Sequence, residues 1–422
     1  MLSPEDNEKL VRVGPGTPAG TLFRRYWQPA LLTTELPEND GAPLRVRLLG
    51  EDLVAFRDST GKAGLVDAYC PHRRAPLFFG RNEECGIRCV YHGWKFDVSG
   101  NCVDLPSEPE GSPMKANIKL QAYPTVEKAG IVWAYLGPKE KMPAPPDYEW
   151  TRVPATHRFV SKTYEHCNYL QALEGGLDTA HSSYLHNMKL GDKVEMRQRD
   201  RAPRLEVERT DYGYYYVSHR NAGDDGTYVR LYHYVMPFQQ MRGGVVSTYR
   251  RDKIPQIDGH LWVPIDDVRT HVFNWGYAAN RDTPISGETA AAFEHGSGRG
   301  REDLIPGTFK LKRNPTNDYL IDRQIQKTRT FTGIDGINTQ DFAMQEGMGP
   351  IVDRSQEYLG STDRAVVTTR RMLLEAIDAV ARGEPARGAD PASHRNIRPY
   401  DKVVPPDQDW REAFAPDLTC SW

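Results

Sequence analysis

Cys70-Pro71-His72 and Cys89-Val90-Tyr91-His92 each place a thiol and an imidazole in one tight turn, with the sixteen residues 73–88 between the two pairs. A spacing this short lets two side chains of one loop reach the same point. Pro71, Pro76, Gly80, Gly86 and Gly93 supply the turns that such loops need. Two clips facing one another make a four-ligand metal site. A second constellation lies at Asp178-x-x-His181-x-x-x-x-His186. Upstream of it Leu170, Leu173, Leu177 and Ala180 keep helical spacing, which predicts that Asp178 and His181 share a helix face at i and i+3. His186 follows five residues after His181, so the helix must distort or end before both imidazoles can meet one ion.

Zinc and an iron–sulfur cluster compete for the first set. Structural zinc sites of the Cys2His2 type usually carry their histidines on a helix. Here Tyr91-His92-Gly93-Trp94 leads into Lys95-Phe96, which reads as a turn entering a strand. The better reading is a Rieske [2Fe–2S] cluster, with Cys70 and Cys89 on one iron and His72 and His92 on the other. Replacing two thiolates by neutral imidazoles raises the reduction potential relative to a four-cysteine cluster. At the second set, two histidines and one carboxylate on one face of Fe(II) leave positions open for dioxygen and an adjacent substrate.

The Cys-Pro-His and Cys-x-Tyr-His-Gly-Trp-x-Phe pair resembles the alpha subunits of Rieske non-haem iron aromatic ring-hydroxylating oxygenases. The run from Met1 to about Glu110 resembles their phthalate dioxygenase-like branch. Asp-x-x-His-x-x-x-x-His resembles the mononuclear iron motif of the same family, and Asn168 and Glu174 match its upstream pattern. The resemblance implies that His181 and His186 bind the mononuclear iron with a third ligand far downstream, where Asp318, Asp322, Asp335, Asp341 and Asp353 are candidates, and it selects Asp341, which opens Asp-Phe-Ala-Met-Gln-Glu. It implies that Asp178 is no iron ligand but a bridging acid, hydrogen-bonded to His181 and reaching His72 or His92 of a neighbouring subunit. A carboxylate so placed orients its imidazoles and couples one centre's protonation to the other's redox state. His157, His166, His219, His233, His260, His271, His295 and His394 read as packing or surface residues, with His166 placed on the helix that carries Asp178.

The elements around these residues predict an α+β fold. Helices are expected over residues 4–12 and Thr21–Gln28, and residues 1–40 form an amino-terminal helical segment. Residues 41–150 form a small Rieske β-sandwich with the cluster at the tip of two loops. Its strands are expected at 44–49 and 53–56, paired as a hairpin, and at 63–69, 86–90, 94–98, 120–123 and 131–136. Pro138–Pro146 reads as linker. Residues 151–422 form the catalytic domain, whose strands at 214–219, 227–238, 245–250, 261–264 and 270–275 imply an antiparallel sheet packed on the Asp178 helix. A helix over Ser361–Ala381 presents Val366, Val367, Met372, Leu373, Ile377 and Val380 as an apolar stripe. By resemblance this is a helix-grip domain with a pocket between sheet and helices. Tyr228, Arg230, Tyr232 and Tyr234 alternate onto one strand face. A cation among Arg220, Arg230, Arg242, Arg250 and Arg251 is expected to meet an anionic aromatic. Residues 279–318 read as a long loop or mobile cover, and the tail after Gly388 as irregular.

The bulk properties exclude several classes. A net charge of −3 over 422 residues gives no reason to expect nucleic acid or an anionic membrane as partner. Mean hydropathy is −0.64 and no apolar run approaches a membrane span. The amino terminus lacks the basic and apolar regions of a signal peptide, so a soluble cytoplasmic protein is expected. Cys85, Cys102, Cys167 and Cys420 read as packing thiols. No Gly-x-Gly-x-x-Gly follows a strand, so a reductase must be another polypeptide; by resemblance it is NADH-dependent and carries flavin and a ferredoxin-type cluster, so that NADH acts only indirectly. The implied function is a terminal oxygenase that takes those electrons and uses O2 to hydroxylate an aromatic carboxylate, phthalate-like, to a cis-dihydrodiol. O-demethylation or ether cleavage of an aromatic acid is the alternative, and a non-catalytic Rieske electron carrier is the least favoured reading. By resemblance the chain assembles as a homotrimer or as a hexamer of stacked trimers.

Overall fold

Ser3 and Thr17 start the first two helices, because their hydroxyls accept hydrogen bonds from the backbone N–H groups of Asp6 and Gly20. Pro4 and Pro18 take the first helical positions, where a missing N–H costs nothing. The helices are therefore Pro4–Val11 and Pro18–Phe23. The second begins before the expected Thr21 because Thr17 caps it. It ends before the expected Gln28 because Trp27–Leu32 is drawn into a strand, β1. The computed structural model describes residues 2–192, 195–243 and 256–422.

The hairpin expected after residue 44 is formed by β2 (Leu44–Leu48) and β3 (Glu51–Arg57), turning through Leu49 and Gly50 at φ 48° and 78°. Both central residues at positive φ match the twist of the flanking strands. With β4 (Ala63–Asp67) and β9 (Ala122–Tyr123) they make one four-stranded sheet, and β5 (Arg81–Glu83), β6 (Gly86–Arg88), β7 (Lys95–Phe96) and β8 (Cys102–Asp104) make another. β10 (Thr125–Lys128) and β11 (Ile131–Tyr135) complete a third sheet with β1. Val54, Phe56, Val66, Leu77, Ile87, Trp94 and Phe96 fill a core of their own beneath the two clips.

Seven strands follow in the second half: β12 (Arg158–Glu165), β13 (Arg204–Arg209), β14 (Gly213–Asn221), β15 (Thr227–Val235), β16 (Gln239–Gly243), β17 (Ile257–Asp266) and β18 (Arg269–Tyr277). Their order is β12-β18-β17-β16-β15-β14-β13, all antiparallel, and β19 (Tyr400–Val404) joins beside β15. The tail is thus not irregular. Its strand continues the sheet where β16 ends, and Trp410–Phe414 is a helix packed against β19. Residues 279–318 likewise contain the helix Gly287–Gly296, with Glu294, Ser297, Arg299 and Asp303 buried, rather than a loose cover. The strand expected at 245–250 lies outside the described residues, as do Arg250 and Arg251.

Three helices lie against this sheet. Tyr169–Leu177 packs on β16, β17 and β18 and against Ile337–Gly347, while Arg364–Ala381 packs on β13. The last helix buries the expected stripe except Val367, which is 46 % exposed. The amino-terminal helices belong to this layer. Tyr169 donates to the Leu10 carbonyl at 2.9 Å and Asn168 to the Val11 carbonyl at 3.0 Å, and Phe23 stands edge-on to Tyr169 at 4.8 Å. Among the described residues no helix is long and apolar enough to cross a membrane.

Candidate metal centres

The two clips fold into loops with the same hydrogen bonds. Cys70 N–H donates to the Ala75 carbonyl at 2.9 Å and Arg74 N–H to the Cys70 carbonyl at 2.9 Å. Cys89 N–H donates to the Trp94 carbonyl at 2.8 Å and Gly93 N–H to the Cys89 carbonyl at 2.9 Å. In each loop the residue four after the cysteine has positive φ, 58° at Arg74 and 78° at Gly93. At Gly93 a side chain is also excluded, since a Cβ would lie 2.6 Å from Pro106 Cγ. The matched loops bury both sulfurs and bring the His72 and His92 rings to 4.5 Å, with His72 stacked on Trp94.

The electrostatics of these donors call for positive charge. Burial, together with the adjacent Cys89, pushes the Cys70 thiol up to about 12. Burial, then His72 and Arg73, lower His92, which leaves a neutral imidazole. Two buried sulfurs, of which Cys70 ionises readily only against a cation, opposite two half-buried imidazoles, fit a cluster bound by two cysteines and two histidines.

The second centre is assembled from separate segments. The helix expected to carry Asp178 and His181 stops at Leu177, and Asp178 is its C-cap in extended conformation. The Asp178 carboxylate accepts from Ala180 N–H at 2.7 Å and His181 N–H at 3.2 Å, which turns the chain out of the helix. That turn, and not a shared helix face, puts Asp178 Oδ2 3.4 Å from His181 Nδ1. A short 3-10 turn over His181–Ser183 then brings His186 back, its Nε2 3.1 Å from His181 Nε2. Asp341, in the middle of the Ile337–Gly347 helix, places Oδ1 3.2 Å from His186 Nε2 and 3.6 Å from His181 Nε2. Asp318, Asp322, Asp335 and Asp353 are not part of this group. Asp322 and Asp353 cap helical turns and Asp335 pairs with Arg313.

The tautomers follow from the surroundings. Gln340 donates to the Ile334 carbonyl at 2.8 Å, so its Oε1, 2.8 Å from His186 Nδ1, accepts the proton there. Asp178 takes the same role at His181. Both Nε2 atoms therefore present bare lone pairs toward Asp341 Oδ1. Three such atoms converging this closely repel one another unless a metal cation or shared protons sit among them, and two histidines with one carboxylate suit non-haem Fe(II). Where protons rather than a metal fill that place, burial would raise the Asp341 carboxyl, but protonated His186 and then His181 outweigh it and hold it below the usual range. Burial opposes the charge on Asp178 as well, and its hydrogen bond with His181 wins, lowering the acid and raising the imidazole.

Buried ion pairs hold these segments together. Glu174 takes Arg354 at 3.0 Å and Arg370 at 2.6 Å, linking the Tyr169–Leu177 helix to the segment after Asp341 and to the long helix Arg364–Ala381. Arg220 donates to the Thr179 carbonyl at 2.8 Å and to Ser183 Oγ at 3.0 Å, clamping the turn that carries His181. The triad opens onto a cavity of about 180 Å³ between sheet and helices. Its sheet wall bears Arg220, Tyr228, Arg230, Tyr232, Arg242 and Asp401, as the expected alternation requires.

Comparison with known proteins places this architecture. Residues 26–124 match the Rieske [2Fe-2S] domain and residues 134–419 match the LigXa C-terminal domain like family. The phthalate 4,5-dioxygenase oxygenase subunit of Pseudomonas putida is 40% identical over 98% of this chain and 94% of its own. The chain belongs to the Rieske non-haem iron oxygenases. The 3-chlorobenzoate-3,4-dioxygenase oxygenase subunit of Comamonas testosteroni is also 40% identical, over 98% of both chains. Among solved structures, dicamba monooxygenase bound to dicamba shares the fold, with a TM-score of 0.60 at 19% identity over 85% of this chain and 98% of its own. The protein is thus an oxygenase component of the phthalate dioxygenase-like branch, a family that carries a [2Fe–2S] cluster and a mononuclear iron.

The structure brings Cys70, His72, Cys89 and His92 to one place and His181, His186 and Asp341 to another. The sequence signal missed Gln340, although it directly precedes Asp341, and Asp401, whose strand was not expected. Cys85 is no packing thiol: it is exposed, in the β5–β6 turn at φ 62°.

Proposed function

We propose that Cys70, His72, Cys89 and His92 hold the Rieske cluster, that His181, His186 and Asp341 hold the mononuclear iron, and that the cavity takes an aromatic carboxylate for hydroxylation to a cis-dihydrodiol. The bound irons supply electron relay and activation of dioxygen, with electrons from a separate NADH-dependent reductase carrying flavin and a ferredoxin-type cluster. This chain's residues orient the imidazoles, position the ring and meet its charge. The observation that carries the reading is the cavity beside three convergent bare acceptors, in a chain 40% identical to two oxygenase subunits named for aromatic acids.

Arg230 is the carboxylate anchor in this reading. Arg197 and Arg242 are already paired with Glu195 and Asp258. Among the described residues Arg220 and Arg230 have no carboxylate within ion-pair distance, and Arg220 is spent on the iron-site turn. Among the described residues the hydrogen bonds of Arg230 go to the Gly243 carbonyl alone, through Nε and one Nη, and its guanidinium lies 5.0 Å from the Tyr232 ring centre, which leaves an edge for a carboxylate.

Asp178 bridges to a neighbouring copy in this account. Phe79, Val90 and Tyr91 stand 55–61 % exposed around the clips, and Tyr184, Met188 and Phe331 are 41–46 % exposed near the iron-site turn. Covering the one patch with the other, in a cytoplasmic ring of three copies or two stacked rings, would bring a cluster histidine toward Asp178. A relative 31% identical is named 5,5'-dehydrodivanillate O-demethylase oxygenase subunit, which supports O-demethylation of an aromatic acid as the second reading.

Oxygen uptake with a supplied reductase, over phthalates, halobenzoates and methoxybenzoates, tests the proposal. Dihydrodiol product supports ring dioxygenation and formaldehyde release supports demethylation; uptake with no aromatic acid contradicts both. Arg230→Gln is expected to raise KM for aromatic acids about 10-fold or more while the cluster absorbance is unchanged. An unchanged KM removes Arg230 from this role.

A further inference from the structure

The Asp341 carboxylate has two oxygens, and only one of them faces the histidines. Oδ1 lies 3.2 Å from His186 Nε2 and 3.6 Å from His181 Nε2, whereas Oδ2 accepts a hydrogen bond from Asn338 Nδ2 at 3.3 Å. Asn338 precedes Asp341 by three positions on the Ile337–Gly347 helix, so the two side chains are neighbours on its surface. An amide can present either its oxygen or its nitrogen, and here the choice is forced from the other side. Arg299 Nη1 donates to Asn338 Oδ1, and a guanidinium has no acceptor to offer. The amide nitrogen is therefore left for Asp341, whose carboxylate can only accept.

Arg299 is itself held in place. It is buried, and its Nε and a second Nη donate to Glu294 Oε1 at 3.0 and 2.8 Å, in the last turn of the Gly287–Gly296 helix. From Glu294 to Asp341 each hydrogen bond thus has one possible direction. The segment that carries Arg299 is also pressed onto the start of the Asp341 helix. Asn338 N–H donates to the Ser297 carbonyl at 2.9 Å, and Thr339 Oγ1 to the Gly298 carbonyl at 3.3 Å. Gly298 and Gly336, at φ 77° and 88°, stand back to back, and a Cβ on Gly336 would lie 2.6 Å from Gly298 Cα.

We propose that Asn338 is a positioning residue for the mononuclear iron: by holding Oδ2 it makes Asp341 offer the metal a single oxygen, and Arg299 with Glu294 fixes the amide that does so. The inference rests on the reading of His181, His186 and Asp341 as the iron site and deepens it. An unrestrained carboxylate can close both oxygens on one cation and so fill a further coordination position. Two histidines and one carboxylate oxygen leave that position open, as dioxygen chemistry beside a substrate requires. The Gly287–Gly296 helix and the segment after it therefore act on the iron site through side chains, although neither Glu294 nor Arg299 belongs to the triad.

Infrared difference spectra test this on protein isotope-labelled in its aspartate carboxyls, taken as iron-loaded minus iron-depleted at the mononuclear site with the cluster in place. A carboxylate bound through one oxygen has its two stretching bands far apart, and one bound through both has them close together. The unaltered protein is expected to show the wide separation. Asn338→Leu and Asn338→Ala each remove the amide donor, and are expected to narrow the separation and lower turnover about 10–100-fold with the cluster absorbance unchanged. A residue that only packs would lower stability and leave the separation wide. A narrow separation in the unaltered protein overturns the proposal, as does a wide one in a folded variant, or undiminished turnover where it narrows. If neither variant folds, the spectrum of the unaltered protein decides. Those results leave the iron-site reading standing, whereas aspartate bands that do not move when the unaltered protein is given iron defeat that reading itself.

Discussion

The loops at Cys70–Pro76 and Cys89–Trp94 hold four donors within one short stretch, each loop closed by its own backbone hydrogen bonds and seated on a separate small core. The triad of His181, His186 and Asp341 draws on a turn and a distant helix, which meet only because the sheet and the buried Glu174 network bring them together. The proposed cluster site is thus a property of local sequence, and the proposed iron site a property of the packed fold. A change in local backbone should injure the first and spare the second, while a change in packing should do the reverse.

The largest effect is expected for His181→Ala. It removes one of three converging donors, so the mononuclear iron is lost and turnover falls at least about 1,000-fold, with the cluster absorbance intact. Retained oxygenation would remove His181 from the site. Asp178→Asn keeps both metals but no longer offers a carboxylate to the imidazoles. Coupled turnover is expected to fall about 10–100-fold, read as oxygen uptake against product formed. Undiminished coupling would refute the bridging role.

Glu174→Gln breaks a buried charge network at its centre and leaves Arg354 and Arg370 facing a neutral amide. A loss of about 3–5 kcal/mol is expected in denaturant unfolding, along with iron release from the triad and no change in the cluster spectrum. Burial disfavours the charge on Glu174, but the two arginines outweigh it and hold its pKa below the ordinary glutamate value of 4.5. The stabilisation is therefore fully present above pH 4.5 and fades as pH falls below it, and the variant should lose that acid-limb dependence. Parallel acid limbs in variant and parent would count against it. Gly93→Ala is the mirror experiment and the smallest. At φ 78° with Pro106 in the way, it should cost about 1–3 kcal/mol and bleach the cluster sooner on heating, with the triad's iron retained. Iron lost from both sites at one temperature would show that the two regions are not independent.

This contrast also explains what could be read from the chain. The clips were legible because spacing alone sets a loop, and the hairpin at Leu44–Arg57 because alternation and a turn set a register. Asp178 and His181 were paired correctly but for the wrong reason. Helical spacing continues through Ala180, yet the Asp178 side chain captures the backbone N–H groups of Ala180 and His181 and ends the helix. In the first half β1, β5, β8 and β10 were missed, and in the second β12, β13, β16 and β19. The five residues of β16 are mostly polar, Gln239, Gln240 and Arg242 among them, and a strand that builds a cavity wall carries no apolar alternation to betray it. Gln340 was invisible for a related reason, since a buried amide that sets a histidine tautomer has no spacing rule.

Iron and acid-labile sulfide analysis of the purified protein, taken with its absorption and electron paramagnetic resonance spectra, tests the central claim most directly. About three irons and two sulfides per chain are expected, with a reduced Rieske signal and a separate ferrous site. Zinc without sulfide, or a cluster alone with no further iron, would contradict the account.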